Sequence, residues 1–191
     1  MKWNFKSFLH NLIISTLCVC GLGLSQTPFN GLILEQLDNG GTVEGTTYRI
    51  YAELSEGKLY AIYGDESNPS LLETTESFFN DALYGGHWNF QDEVIEGAFN
   101  DNPTIEWDTW VTIGDTYDDA VQTIGELNIL NFSTSSWLFG GSVNSDAAIF
   151  RTPDNANCLP DINGRVLLGQ FTTDGTLSGY LNIRLQNDAG T

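Results

Sequence analysis

Positive charge is what this sequence has least of. Lysine and arginine together number 7 in 191 residues, against 25 aspartates and glutamates, giving a formal net charge of −18. Such a surface has little with which to replace the counterions held on phosphate, so nucleic acid and anionic membrane surfaces are excluded as partners. Histidine is nearly absent too, with His10 and His87 alone. A Ser-His-Asp or Cys-His site would have to use His87, which lies in a Gly-rich YGGHW stretch with no G-x-S-x-G motif beside it. Cysteine occurs at positions 18, 20 and 158, too few for a disulfide framework or a sulfur-and-nitrogen zinc site. A long apolar run is also missing. The best, residues 12–24, is shorter than the roughly 20 residues a membrane helix needs, so no membrane span is expected.

That run has another use. Lys2 and Lys6 precede it, and Gly23 and Ser25 supply small residues before Gln26, the pattern of a secretory signal peptide over residues 1–25. Its removal would leave 166 residues, shift the charge from −18 to −20 by taking away Lys2 and Lys6, and leave Cys158 as a lone thiol. One domain of this length buries roughly 70% of the surface its unfolded chain exposes, so packing suffices without disulfides. Residues 26–191 therefore read as a single secreted module. Cys158 reads as a small core residue, since a nucleophilic role wants a histidine beside it.

What is plentiful is β pattern. In residues 46–65, TTYRIYAELSEGKLYAIYGD, Tyr48, Ile50, Ala52 and Leu54 alternate with Thr47, Arg49, Tyr51 and Glu53, predicting a core row and a solvent row. The turn at residues 55–57 and the row Leu59, Ala61, Tyr63 predict a hairpin. Residues 31–37, 104–114, 128–132, 136–139 and 147–151 read as further strands, and residues 165–171 and 176–185 as a terminal hairpin. Residues 71–80 read as strand running into loop, residues 152–164 as a long loop, and residues 90–99 as one short helix. The expected fold is mostly β: an antiparallel β-sandwich, of which the jelly roll is one form, with that single helix.

The segments TYRIYAEL with LYAIYGD, then WDTWVTIGD, then RVLLGQFTTDGTLSGYLNIRLQN resemble, in that order, an uncharacterised β-rich module of large secreted bacterial surface and extracellular proteins. The resemblance covers most of residues 46–187 and implies an extracellular module without implying any reaction. Such modules are expected beside others or before a sorting domain, whereas this chain stops at Thr191, so the module reads as either truncated or lacking the sorting signal.

Chemistry is then left to carboxylates and aromatic rings. A glycosidase needs two carboxyls about 5 to 10 Å apart across a sugar. Glu106 and Asp108, two apart on the expected strand and beside Trp110, are the pair that spacing offers, although a solvated acidic face explains them as well. Calcium takes roughly six to eight oxygens from acidic loops. Asp115, Asp118 and Asp119 form one such loop, and Asp154, Asn155, Asn157, Asp161 and Asn163 another, neither with EF-hand spacing. Turn formation accounts for the same residues. Trp110, Tyr51, Tyr60 and Tyr180, all expected on exposed rows, would suit a carbohydrate-binding platform. The sequence thus predicts a non-catalytic, structural or adhesive extracellular module, partnered by polysaccharide or by other modules of the same secreted protein. The alternatives are a carbohydrate-binding module and a glycoside hydrolase.

Overall fold

The computed structural model describes residues 3–6, 28–82, 100–114, 122–125, 136–139 and 146–187. They form two antiparallel sheets packed face to face, a β-sandwich. In the smaller sheet the order is β2 (Phe29–Leu37), β3 (Thr46–Leu54), β10 (Arg165–Thr173) and β6 (Trp110–Val111). The larger sheet is organised on the ten-residue β11 (Leu177–Gln186). Its residues 182–186 pair with β4 (Lys58–Gly64), followed outwards by β9 (Ala147–Phe150) and β7 (Gln122–Gly125). Its residues 177–180 pair with β5 (Ser70–Thr74), followed by β8 (Ser136–Phe139). A short β1 (Trp3–Lys6) also pairs with β11, at residues 178–181.

On β3 the alternation read from the sequence finds its core, while on β4 Ile62 enters it in place of Ala61 and Tyr63. Ile50, Ala52 and Leu54 of β3, Leu59 and Ile62 of β4, Val166, Leu168 and Phe171 of β10, and Leu177, Leu181 and Ile183 of β11 form one buried cluster between the sheets. Each large apolar side chain so buried contributes about 1.5–3 kcal/mol. Cys158 is part of this cluster, a free thiol whose Sγ–H donates to the Thr152 carbonyl at 3.5 Å.

Both expected hairpins are absent, and this corrects the sequence reading. β3 pairs with β2 and β10, β4 with β11 and β9, so the turn at residues 55–57 carries the chain from one sheet to the other. The turn at residues 174–176 does the same between β10 and β11. The two arches lie side by side, β3 against β10 and β4 against β11. Their apolar rows face each other across the core, which is where a row of Ile, Leu and Phe buries most surface. The pairing β2–β3 is a true hairpin, closed by residues 38–45.

A second correction concerns residues 104–114. Pro103–Trp107 is a 3-10 turn, and only Trp110–Val111 is strand. This turn folds over the outer face of the smaller sheet, where Ile105, Trp110, Tyr51 and Leu167 make a second apolar cluster. Polar neighbours are stitched in: Gln170 Nε2 donates to the carbonyls of Glu106 (2.9 Å) and Asp108 (3.0 Å), and the Thr172 hydroxyl to that of Trp107 (2.6 Å). The supposed solvent row of β3 is therefore largely covered, with Thr47 and Tyr51 both buried. The expected helix at 90–99 lies outside the described residues, among which the helical elements are short 3-10 turns.

Candidate binding groove on the outer face of the larger sheet

The open face of the larger sheet carries a groove of about 590 Å³ over β4, β9 and β11. The register builds it. Arg184, Ala61 and Phe150 stand in one cross-strand row, and Asn182, Tyr63 and Ala148 in the next. Small side chains at Ala61 and Ala148 leave the floor low, while Tyr63, Phe150 and Arg184 rise around it. The Arg184 guanidinium lies over the Tyr63 ring, 5.0 Å from its centroid. Stacking on an aromatic face holds a guanidinium flat with its N–H groups directed outwards as donors. Asp65 and Asp146 line the groove as well. Asp65 is committed to its own turn, its Oδ1 accepting the N–H groups of Ser67 (2.8 Å) and Asn68 (2.6 Å), whereas Asp146 is exposed.

Of the four aromatic residues the sequence offered, Tyr60 alone lines this groove. Trp110 is only 2% exposed and Tyr51 9%, both held under the 3-10 turn, so neither forms an exposed platform. Tyr180 is half-buried on the part of β11 between β1 and β5. Tyr63, assigned by alternation to the core row, points instead to the groove because β4 holds a β-bulge. Ala61 pairs with Arg184 but Leu59 with Leu185, leaving Tyr60 as an extra residue. One inserted residue exchanges the faces of every side chain beyond it.

The two carboxylates of the expected pair sit in different surroundings. Glu106 is exposed on the 3-10 turn, while Asp108 is 2% exposed and its Oδ1 accepts the Asp81 N–H at 2.8 Å. A 3-10 turn does not share the two-residue repeat of a strand, so the same-face argument fails. For calcium, Asp115, Asp118 and Asp119 lie outside the described residues, as does His87. Asp161 organises a turn: its Oδ1 accepts the N–H groups of Asn163 (2.8 Å) and Arg165 (2.9 Å), and the Arg165 guanidinium stands 3.7 Å from Oδ2. Partial burial opposes its ionisation, but those hydrogen bonds outweigh it and hold the carboxyl below its ordinary range. Asp154 is lowered too, first by the Thr152 hydroxyl and then by its own backbone N–H. Asn155 accepts the Asn157 N–H at 2.8 Å, capping a 3-10 turn at Ala156–Cys158. Among the described residues no three His, Cys, Asp or Glu side chains gather as a metal site.

A smaller cleft of about 320 Å³ lies by Arg165 and Tyr51, whose ring is 4.6 Å below the guanidinium. Burial, with Glu35 accepting the hydroxyl hydrogen, raises the Tyr51 phenol above its ordinary value. No protein-family model, curated protein or solved structure matches this chain. Among the described residues no helix is long and apolar enough to cross a membrane.

Proposed function

We propose that this chain is a secreted, non-catalytic adhesive module that holds an extracellular polysaccharide in the groove over β4, β9 and β11. The observation that carries this reading is the Arg184 guanidinium stacked on Tyr63 beside Tyr60 and Phe150, on a sheet face open to solvent. The C–H faces of a sugar ring pack on flat aromatic surface, and its hydroxyls need donors and acceptors at fixed positions. Tyr63 and Phe150 offer the first, Arg184 and Asp146 the second, in the mixture of apolar wall and few polar groups typical of ligand sites. The leader pattern of residues 1–25 supports the extracellular setting, and the charge of −18 suits a module that stays soluble while binding an uncharged partner.

The test is retention on a panel of insoluble polysaccharides and a glycan array. Wild-type protein is retained on at least one glycan, and Tyr63→Ala and Arg184→Ala each weaken that retention by about tenfold, equivalent to ~1.4 kcal/mol. Retention of both variants at wild-type level, or retention of the wild type by no glycan, would overturn the reading.

A further inference from the structure

The smaller cleft, beside Arg165 and Tyr51, is built on the other sheet from the glycan groove and has its own chemistry. One wall is the loop through the 3-10 turn at Ala156–Cys158. It comes close because Gly114, at φ +80°, has no side chain, and a Cβ there would collide with the Asn157 backbone. The Gly114 N–H donates to the Leu167 carbonyl at 2.9 Å, which ties this wall to β10. The lip is apolar. Pro160 forms it with Leu159, which at 50% is one of two large apolar side chains left exposed among the described residues.

Facing that lip is a cation whose donors the fold does not use up. The Arg165 guanidinium lies on the Tyr51 ring, and its Nε–H is buried with no hydrogen-bond partner. A buried donor in that condition costs about 1–3 kcal/mol. Its ion pair with Asp161 is long, 3.7 Å from Nη2 to Oδ2, against about 2.7–2.9 Å for a charge-assisted hydrogen bond. Asp161 has spare capacity on the same side. Its Oδ1 is taken by the backbone N–H groups of Asn163 and Arg165, whereas Oδ2 holds only the Asn163 side-chain amide, at 3.4 Å, and the long contact to Arg165. The cleft therefore offers a strong donor and a strong acceptor side by side, under an apolar lip.

Charge selects the ligand. A simple anion would meet Arg165 in the field of a chain of net charge −18, and a simple cation would meet the fixed guanidinium. A zwitterion has no net charge to be repelled, and its two groups match the two in the cleft. About 320 Å³ lies at the lower end of small-molecule pockets, room for a single amino acid. We infer that this cleft binds a free apolar α-amino acid, its carboxylate accepting from Arg165, its ammonium donating to Asp161 Oδ2 and its side chain packed on Leu159 and Pro160. The ligand carboxylate supplies the close acceptor that the guanidinium lacks in the fold itself.

The experiment titrates the full chain, isotopically labelled, with L-leucine and follows the backbone amide resonances. Leucine binds with a Kd of about 1 mM or tighter and shifts the resonances of Asn157, Leu159 and Arg165. Leucinamide, which lacks the carboxylate, and N-acetylleucine, which lacks the ammonium, each bind at least about tenfold more weakly. Arg165→Gln abolishes binding. Because Arg165 also braces its own turn, Leu159→Ser on the exposed lip is the second variant: it keeps a dispersed spectrum and weakens leucine by about tenfold. No shift at about 10 mM leucine, binding of the amide or of N-acetylleucine as tight as that of leucine, shifts confined to the groove residues Ala61 and Ala148, or full binding by either variant would each overturn the inference. Polysaccharide retention is measured without amino acid present, so the two sites are tested independently.

Discussion

Ser70 bridges the backbone of Asn182 to that of Tyr63: its hydroxyl accepts the Asn182 N–H at 2.7 Å and donates to the Tyr63 carbonyl at 2.7 Å. The Asn182 side chain completes the clamp, its Nδ2 donating to the carbonyls of Asn68 at 2.8 Å and Pro69 at 3.0 Å. Residues 65–69 can therefore loop out between β4 and β5 without leaving the ladder open, and the loop places Asp65 at the groove. Ser70 is fully buried and Asn182 is 2% exposed, so water cannot replace a lost partner.

Ser70→Ala removes the acceptor of the buried Asn182 N–H and leaves the Tyr63 carbonyl with only the longer contact from Asn182 Nδ2, at 3.4 Å. A buried donor or acceptor left without its partner costs about 1–3 kcal/mol. The variant is expected to lose about 2 kcal/mol in urea unfolding, with an unchanged dependence on urea concentration. A loss below about 0.5 kcal/mol would mean that the clamp is not what closes the ladder.

Trp110 tests the second apolar cluster. Its ring is buried with Ile105, Tyr51 and Leu167, and the Arg49 guanidinium stands 6.0 Å from the ring centroid. Trp110→Ala should cost about 3–5 kcal/mol, since truncating a buried aromatic leaves a cavity. Glycan retention by the fraction that remains folded should be unchanged, because the groove lies on the other sheet. Selective loss of binding in folded protein would return Trp110 to the platform.

The contrast between Trp110 and Tyr63 shows what was legible in the sequence. Alternation reported which residues of β3 and β11 share a face, and the burial of Ile50, Ala52, Leu54, Leu181 and Ile183 follows from it, whereas β10, buried along nearly its whole length, shows no alternation to read. It held no information on whether the next strand lies beside or opposite, so two arches read as two hairpins. A three-residue turn serves both geometries, and the choice depends on β2 and β10 outcompeting β4 for the edges of β3. The bulge at Tyr60 is a pairing property, visible only once β4 meets β11. It moved Tyr63 into the groove, while the 3-10 turn moved Trp110 out of solvent.

Gly57 closes the first arch at φ +76°, and a Cβ there would collide with the Gln186 carbonyl oxygen. Gly57→Ala combines a disfavoured backbone region with a clash against the end of β11. A cost of about 2–3 kcal/mol is expected from thermal or urea unfolding. Alanine at Gly40, also at positive φ (+62°) but with open space around the added Cβ, should cost less, about 1 kcal/mol. Equal losses at the two positions would show that conformation, not contact with β11, sets the effect.

Asp161 gives the acid side of the stability curve. Its pKa is lowered in the folded chain, so its contribution is present above the unfolded-state value, near 3.9 for an aspartate, and is lost as pH falls through the folded value. Asp161→Asn keeps an acceptor for Asn163 and Arg165 but removes the charge. At pH 7 the variant should be the less stable of the two, modestly, because the side chain is 41% exposed and solvent screens it. As pH is lowered below the ordinary aspartate range, wild type should lose stability faster than the variant until the two unfolding curves converge. Parallel curves from pH 7 to 2 would show that the Asp161 carboxylate is no better held in the folded turn than in the unfolded chain.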